Sequence, residues 1–216
     1  MEEGYKTNLL KRIFTSIVII LPIVAILLSA NIWAFSILIV AISLLALAEW
    51  IKSNLNKPYL GFFLIINFIF CSIYLVLMID PYPFDKEFLF FVYGTIILNT
   101  AIFDTFAYLI GSNIGKTFIA KEISPNKTLE GLVGGSLASA SLGALIGYST
   151  TSPIFILYFI IGGMFAFLGD LLISFIKRQS GVKDTGSILP GHGGILDRLD
   201  SHLIATPVMI FLFLLW

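Results

Sequence analysis

The chain has 216 residues, 58% of them hydrophobic and only 12% charged. A soluble domain carries about 25% charged residues, so the composition argues against a water-soluble globule and for the bilayer as solvent. Thirteen basic residues balance thirteen acidic ones, which argues against general nucleic-acid binding, where neutralising phosphates needs a basic excess.

A spanning helix needs about 20 mostly apolar residues. Seven stretches are read as spans: 13–30, 33–51, 60–79, 88–110, 129–150, 153–176 and 201–216, the first and last slightly short. The first has a basic flank (Lys6, Lys11, Arg12) and ends on Ser29 and Ala30, like a signal peptide. Its apolar run exceeds the roughly 7–15 residues of a signal core, so it is expected to remain as the first helix. The expected fold is all-α, a polytopic membrane protein of about seven transmembrane helices. Residues 1–99 would supply the N-terminal helices and 100–216 the region that carries the chemistry. The single cysteine, Cys71, excludes an internal disulfide.

Lysine and arginine in the loops set orientation. With a cytoplasmic N-terminus, Lys6, Lys11, Arg12, Lys52, Lys57, Lys116, Lys121, Lys127, Lys177, Arg178, Lys183 and Arg198 are all cytoplasmic. Only Lys86 falls outside, in the short acidic connection 80–87. The expectation is a multi-pass protein of the cell's inner (plasma) membrane with its site facing the cytoplasm.

In the fifth span Gly131, Gly135, Ser139, Gly143 and Gly147 recur every four residues. Such a ridge lets helices approach closely in lipid, either within the chain or across a homodimer.

Charges within spans are costly and usually functional. Asp104 in span four and Asp170 in span six both lie toward the cytoplasmic end. From Asp170 the helix runs through Ser174, Lys177 and Arg178 at i+4, i+7 and i+8, positions expected to share one face. The segment after Lys183 is rich in Gly and Pro, able to cradle anionic oxygens on its backbone. Asp197, Arg198 and Asp200 then open the last span, with the two acids at i and i+3. Carboxylates gathered at one depth repel unless a cation sits among them, and an oxygen-rich site beside substrate phosphates suits Mg²⁺. The pattern reads as metal-assisted phosphoryl or nucleotidyl transfer. The alternative is an internal salt-bridge network with Lys177, Arg178 or Arg198. Lys116, Lys121 and Lys127 in the loop before span five are also available for phosphates. His192, between two glycines, could bind phosphate or give a proton to a leaving group; His202 reads as a packed polar residue.

The run SFIKRQSGVKDTGSILPGHGGILDRLD, residues 174–200, resembles the signature of the phosphatidate cytidylyltransferase family. DTFAYLIGSNIGK (104–116) and ISPNKTLEGLVGG (123–135) resemble family segments in the same order. The resemblance covers about residues 100–200. The chain is shorter than many relatives, and Leu129 stands where they usually have Trp.

The resemblance implies that CTP and phosphatidic acid react to give CDP-diacylglycerol and pyrophosphate, with a divalent ion, Mg²⁺, neutralising the phosphates and a second cation also conceivable. It implies Asp170 and Asp197, then Asp200, as metal ligands. Lys177, Arg178 and Arg198 would bind phosphates of CTP or lipid, and Lys116 and Lys183 are counted with them. Ser174, Asp184 and His192 would support the site, Lys127 and Glu130 would line the facing loop, and Asp104 would lie near it. Two other readings are a CTP-dependent lipid-alcohol kinase and, with no internal repeat to support it, a transporter.

Overall fold

A computed structural model describes residues 2–78, 85–189 and 193–216, with side chains from residue 15 onward. The elements are α1 (Glu2–Ser29), α2 (Ile32–Lys52), α3 (Pro58–Leu77), α4 (Lys86–Ile114), α5 (Leu129–Ser149), α6 (Ile154–Gln179), α7 (Leu196–Leu199) and α8 (His202–Leu214). Among the described residues there is no strand, only the isolated bridges Phe118–Thr128 and Leu189–Gly193.

Helices α2 to α6 are each long and apolar enough to cross a membrane. The described part of α1, Thr15–Ser29, is a shorter apolar helix. At 13 residues, α8 is about 20 Å long, less than the roughly 30 Å of a hydrocarbon core. Only Asp200 and Ser201 separate it from α7, and both keep helical dihedrals (φ −51°, ψ −47°; φ −65°, ψ −40°). The seven expected spans therefore correspond to seven helical runs. Of the expected outer connection, only Asp85, Lys86 and Glu87 lie within the described residues. Residue 100 falls in the middle of α4, so the helices before it and the region after it share one continuous helix.

Sequence fixes several helix starts. Asn31, Asp85 and Thr128 are N-caps whose side chains accept from the N–H of Ala34, Phe88 and Gly131 at 3.0, 3.1 and 3.1 Å, each satisfying a donor the helix leaves open. Large apolar side chains such as Leu28, Trp33, Ile37, Phe70, Leu137 and Leu145 point outward. In water each would forgo about 1.5–3 kcal/mol of burial; facing lipid tails, they need no protein cover.

Helices α4, α5 and α6 pack side by side through the small-residue ridge. A Cβ on Gly131 would sit 2.5 Å from the Ala107 carbonyl oxygen of α4, and one on Gly143 would sit 2.6 Å from that of Phe155 on α6. The ridge is thus used within the chain, and a homodimer loses it as support. Helices α2 and α3 close the other side. Phe35 packs edge-on against Phe90 and Tyr93 of α4, with centroids 5.3 and 4.7 Å apart, and Tyr93 hydrogen-bonds Ser72 of α3 at 3.1 Å.

Candidate active site

A cleft of about 380 Å³ opens between α4, the start of α5, α6 and the α7–α8 junction. Its charged lining comprises Asp104, Lys127, Asp170, Asp197, Arg198 and Asp200. Ser124, Asn126, Ser201 and His202 add neutral polar groups, and Ala101, Phe103 and Leu132 an apolar wall. At 1.5 Å per residue, Asp104 and Asp170 lie about 14–15 Å from the ends of their helices at Ile114 and Gln179. Both helices exceed the roughly 30 Å thickness of a hydrocarbon core, and the cleft sets this polar group of side chains beside its apolar wall.

Two ion pairs organise the charges. Lys127 Nζ lies 2.8 Å from Asp170 Oδ2, donates to the Phe167 carbonyl at 3.2 Å and stands 4.4 Å from the Phe167 ring centroid. Ser174 donates to the other oxygen of Asp170 at 3.0 Å. Lys177, buried, places Nζ 2.9 Å from Asp197 Oδ1 and 4.0 Å from Asp200 Oδ2. The second oxygen of Asp197 accepts from the N–H of Thr185 at 3.0 Å and of Gly194 at 2.9 Å. Ser201 donates to Asp104 Oδ2 at 3.1 Å and its N–H to Asp200 Oδ1 at 2.9 Å. Gly169 makes the junction possible: a Cβ there would lie 2.7 Å from the Asp200 carbonyl oxygen.

The cleft thus gathers four acids, Asp104, Asp170, Asp197 and Asp200, beside Lys127, Lys177 and Arg198.

Residues 60–216 match the cytidylyltransferase family. The chain belongs to that family. It is similar to the phosphatidate cytidylyltransferase of Rickettsia bellii, 33% identical over 225 positions covering 98% of this chain and 93% of that protein. The phosphatidate cytidylyltransferase of Rickettsia felis is 34% identical over 97% of this chain and 94% of that protein. That of Bacillus subtilis is 44% identical over 117 positions, 52% of this chain and 44% of that protein, so this similarity spans less than half the length of the Bacillus relative.

Within this cytidylyltransferase, a nucleotidyl-transferring enzyme by family, the expected site residues fall into three groups. Asp104, Lys127, Asp170, Asp197, Arg198 and Asp200 meet at the cleft, with Ser174 and Lys177 one contact behind. Arg178 instead turns to the loops, its Nε donating to Ile123 O at 3.2 Å and its Nη1 to Val182 O at 3.1 Å. Glu130 spends its carboxylate on the N–H groups of Lys116 and Thr117, at 3.1 and 3.2 Å, pinning that loop to the start of α5. Lys116, Lys183 and Asp184 are exposed and outside the cleft lining. His192 lies outside the described residues. His202, read from sequence as packed, lines the cleft with Nδ1 3.5 Å from Thr206 Oγ1.

Sequence reasoning missed Glu49 of α2. It is 4% exposed and accepts from Ile195 N, Leu196 N and Thr185 Oγ1 at 3.0, 2.8 and 3.2 Å. Its signal was available: it is the sole acidic residue between positions 13 and 79.

Among the described residues, no three acid or imidazole side chains form a ready-made metal cluster, and both oxygens of Asp197 are engaged by protein donors. The remaining cleft acids are Asp170, whose partner Lys127 sits across the open cleft, and Asp200 with Asp104 beside it, all hard oxygen donors. They fit a divalent ion whose coordination is completed by phosphate oxygens, the usual habit of Mg²⁺.

Proposed function

We propose that the chain is a phosphatidate cytidylyltransferase, joining CMP from CTP to phosphatidic acid and releasing pyrophosphate. The observation that carries this reading is the cleft itself, which gathers acids and cations beside an apolar wall. A water-soluble nucleotide and a lipid phosphate need such a joint polar and apolar site to meet. The names of relatives similar over nearly the whole chain support it.

In the reaction an oxygen of the lipid phosphate attacks the α-phosphorus of CTP, forming one P–O bond as the bond to pyrophosphate breaks. The nucleophile is already anionic, so no strong general base is needed. Positioning and charge neutralisation supply most of the rate. Arg198 and Lys127 present cations to the phosphates, Lys127 exchanging Asp170 for substrate oxygen. Lys177, buried against Asp197, holds the start of α7 so that Arg198 and Asp200 keep their place in the cleft. Mg²⁺, held by Asp170 and Asp200 with Asp104 nearby, would neutralise charge on the triphosphate and the leaving pyrophosphate. The basic loops support a cytoplasmic site and N-terminus, in the plasma membrane.

The test is direct. Purified protein is given cytidine-labelled CTP, phosphatidic acid and Mg²⁺, with EDTA and Asp170→Asn as controls. Cytidine-bearing lipid with equimolar pyrophosphate, lost in both controls, supports the reading. Phosphorylated lipid with free CDP would make the protein a lipid kinase instead.

A further inference from the structure

A buried carboxylate with no cation beside it is costly unless hydrogen bonds satisfy it. Glu49 is such a group: among the described residues no lysine or arginine pairs with it, and its donors are two backbone N–H groups and a hydroxyl. Those donors belong to the loop that carries Asp197. Gly194, Ile195 and Leu196 present consecutive N–H groups, the first to Asp197 and the next two to Glu49. Thr185 is shared in the same way, its N–H on Asp197 and its hydroxyl on Glu49. The two carboxylates grip one turn from opposite sides.

The surroundings are shaped to this grip. A Cβ on Gly186 would lie 2.6 Å from Glu49 Oε1, and one on Gly194 would collide with Oε2. One turn further along the chain from Glu49, Ser53 donates to the Thr185 carbonyl at 2.6 Å. Asn56 then ties the α2–α3 connection to Ser180 and Gln179 at 2.8 and 3.2 Å.

We propose that Glu49 is a positioning residue for cytidylyl transfer. It acts through Thr185 and the 194–196 backbone to fix the Lys177–Asp197 pair and, with it, the placement of Arg198 and Asp200 in the cleft. Helix α2 is then part of the catalytic architecture, although it precedes the family-matched residues 60–216. The proposal rests on the functional reading above, and its test separates the two.

The full chain in lipid nanodiscs is compared as wild type, Glu49→Gln, Glu49→Asp and Gly194→Ala. Each is measured for kcat, for KM of CTP and phosphatidic acid, and for amide hydrogen exchange in the absence of substrate. Glu49→Gln keeps the shape but replaces one acceptor oxygen with a donor. It is expected to lower kcat roughly ten- to hundred-fold, the cost of slight misplacement, with KM for both substrates little changed. Exchange at 194–196 should quicken while α4, α5 and α6 stay protected. Glu49→Asp should recover part of the rate, and Gly194→Ala should reproduce the glutamine variant's fast exchange. Wild-type kcat and exchange in Glu49→Gln would overturn the proposal. So would exchange quickened across every helix, because the residue would then serve global stability alone. If the wild type transferred no cytidylyl group, the functional reading would fall, and the exchange data would still decide whether Glu49 holds the turn.

Discussion

Lys177 and Asp197 form an ion pair of 2.9 Å with side chains only 8% and 7% exposed, joining the C-terminal end of α6 to the start of α7. Removing one partner leaves the other charged and buried, which costs about 3–5 kcal/mol. Asp197→Asn is therefore expected to lower thermal stability markedly and abolish transfer, and Lys177→Met to do the same. The double variant should be more stable than the sum of the two losses predicts. Thermal unfolding of all four proteins in one detergent checks this; strictly additive losses would mean that the pair is not a unit.

Lys127 is a different case. It pairs with Asp170 across the open cleft, with side chains 13% and 31% exposed, and its assigned work is to exchange that partner for phosphate. Lys127→Met is expected to reduce kcat by about a hundredfold or more while shifting the melting temperature little. Steady-state kinetics alongside unfolding of the same sample measures the contrast.

Gly169 is required by contact. Gly169→Ala puts a Cβ 2.7 Å from the Asp200 carbonyl oxygen, and backbone cannot yield as a side-chain tip can. A loss of about 1–3 kcal/mol is expected, together with reduced kcat, since the displaced junction carries Asp200 and Ser201. Unfolding and turnover on one preparation measure both.

Much of this was legible from sequence because charge against an apolar background is a strong signal. Asp104 and Asp170 stood out on that ground and meet at the cleft, and the four-residue ridge of α5 announced close packing. Helical phase explains a partial failure. At 100° per residue, position 177 returns to within about 20° of Asp170 and position 178 falls about 80° away. Lys177 accordingly joins the acids, whereas Arg178 turns to Ile123 and Val182. Glu130 was expected to line a loop, but its two oxygens close that loop onto the helix. Glu49 escaped notice because it sits at the end of an apolar span beside Trp50, where an acidic residue reads as interfacial. Its partners lie nearly 150 positions later, and no local periodicity reports a contact at that range.

The most direct test of the central claim follows the label of CTP. The protein is incubated with phosphatidic acid, Mg²⁺ and CTP labelled on either the α- or the γ-phosphate, and lipid is separated from water-soluble products. Cytidylyl transfer predicts that the α-label enters lipid and the γ-label leaves as pyrophosphate, in equal amounts. Entry of the γ-label into lipid, with the α-label retained in CDP, would contradict it.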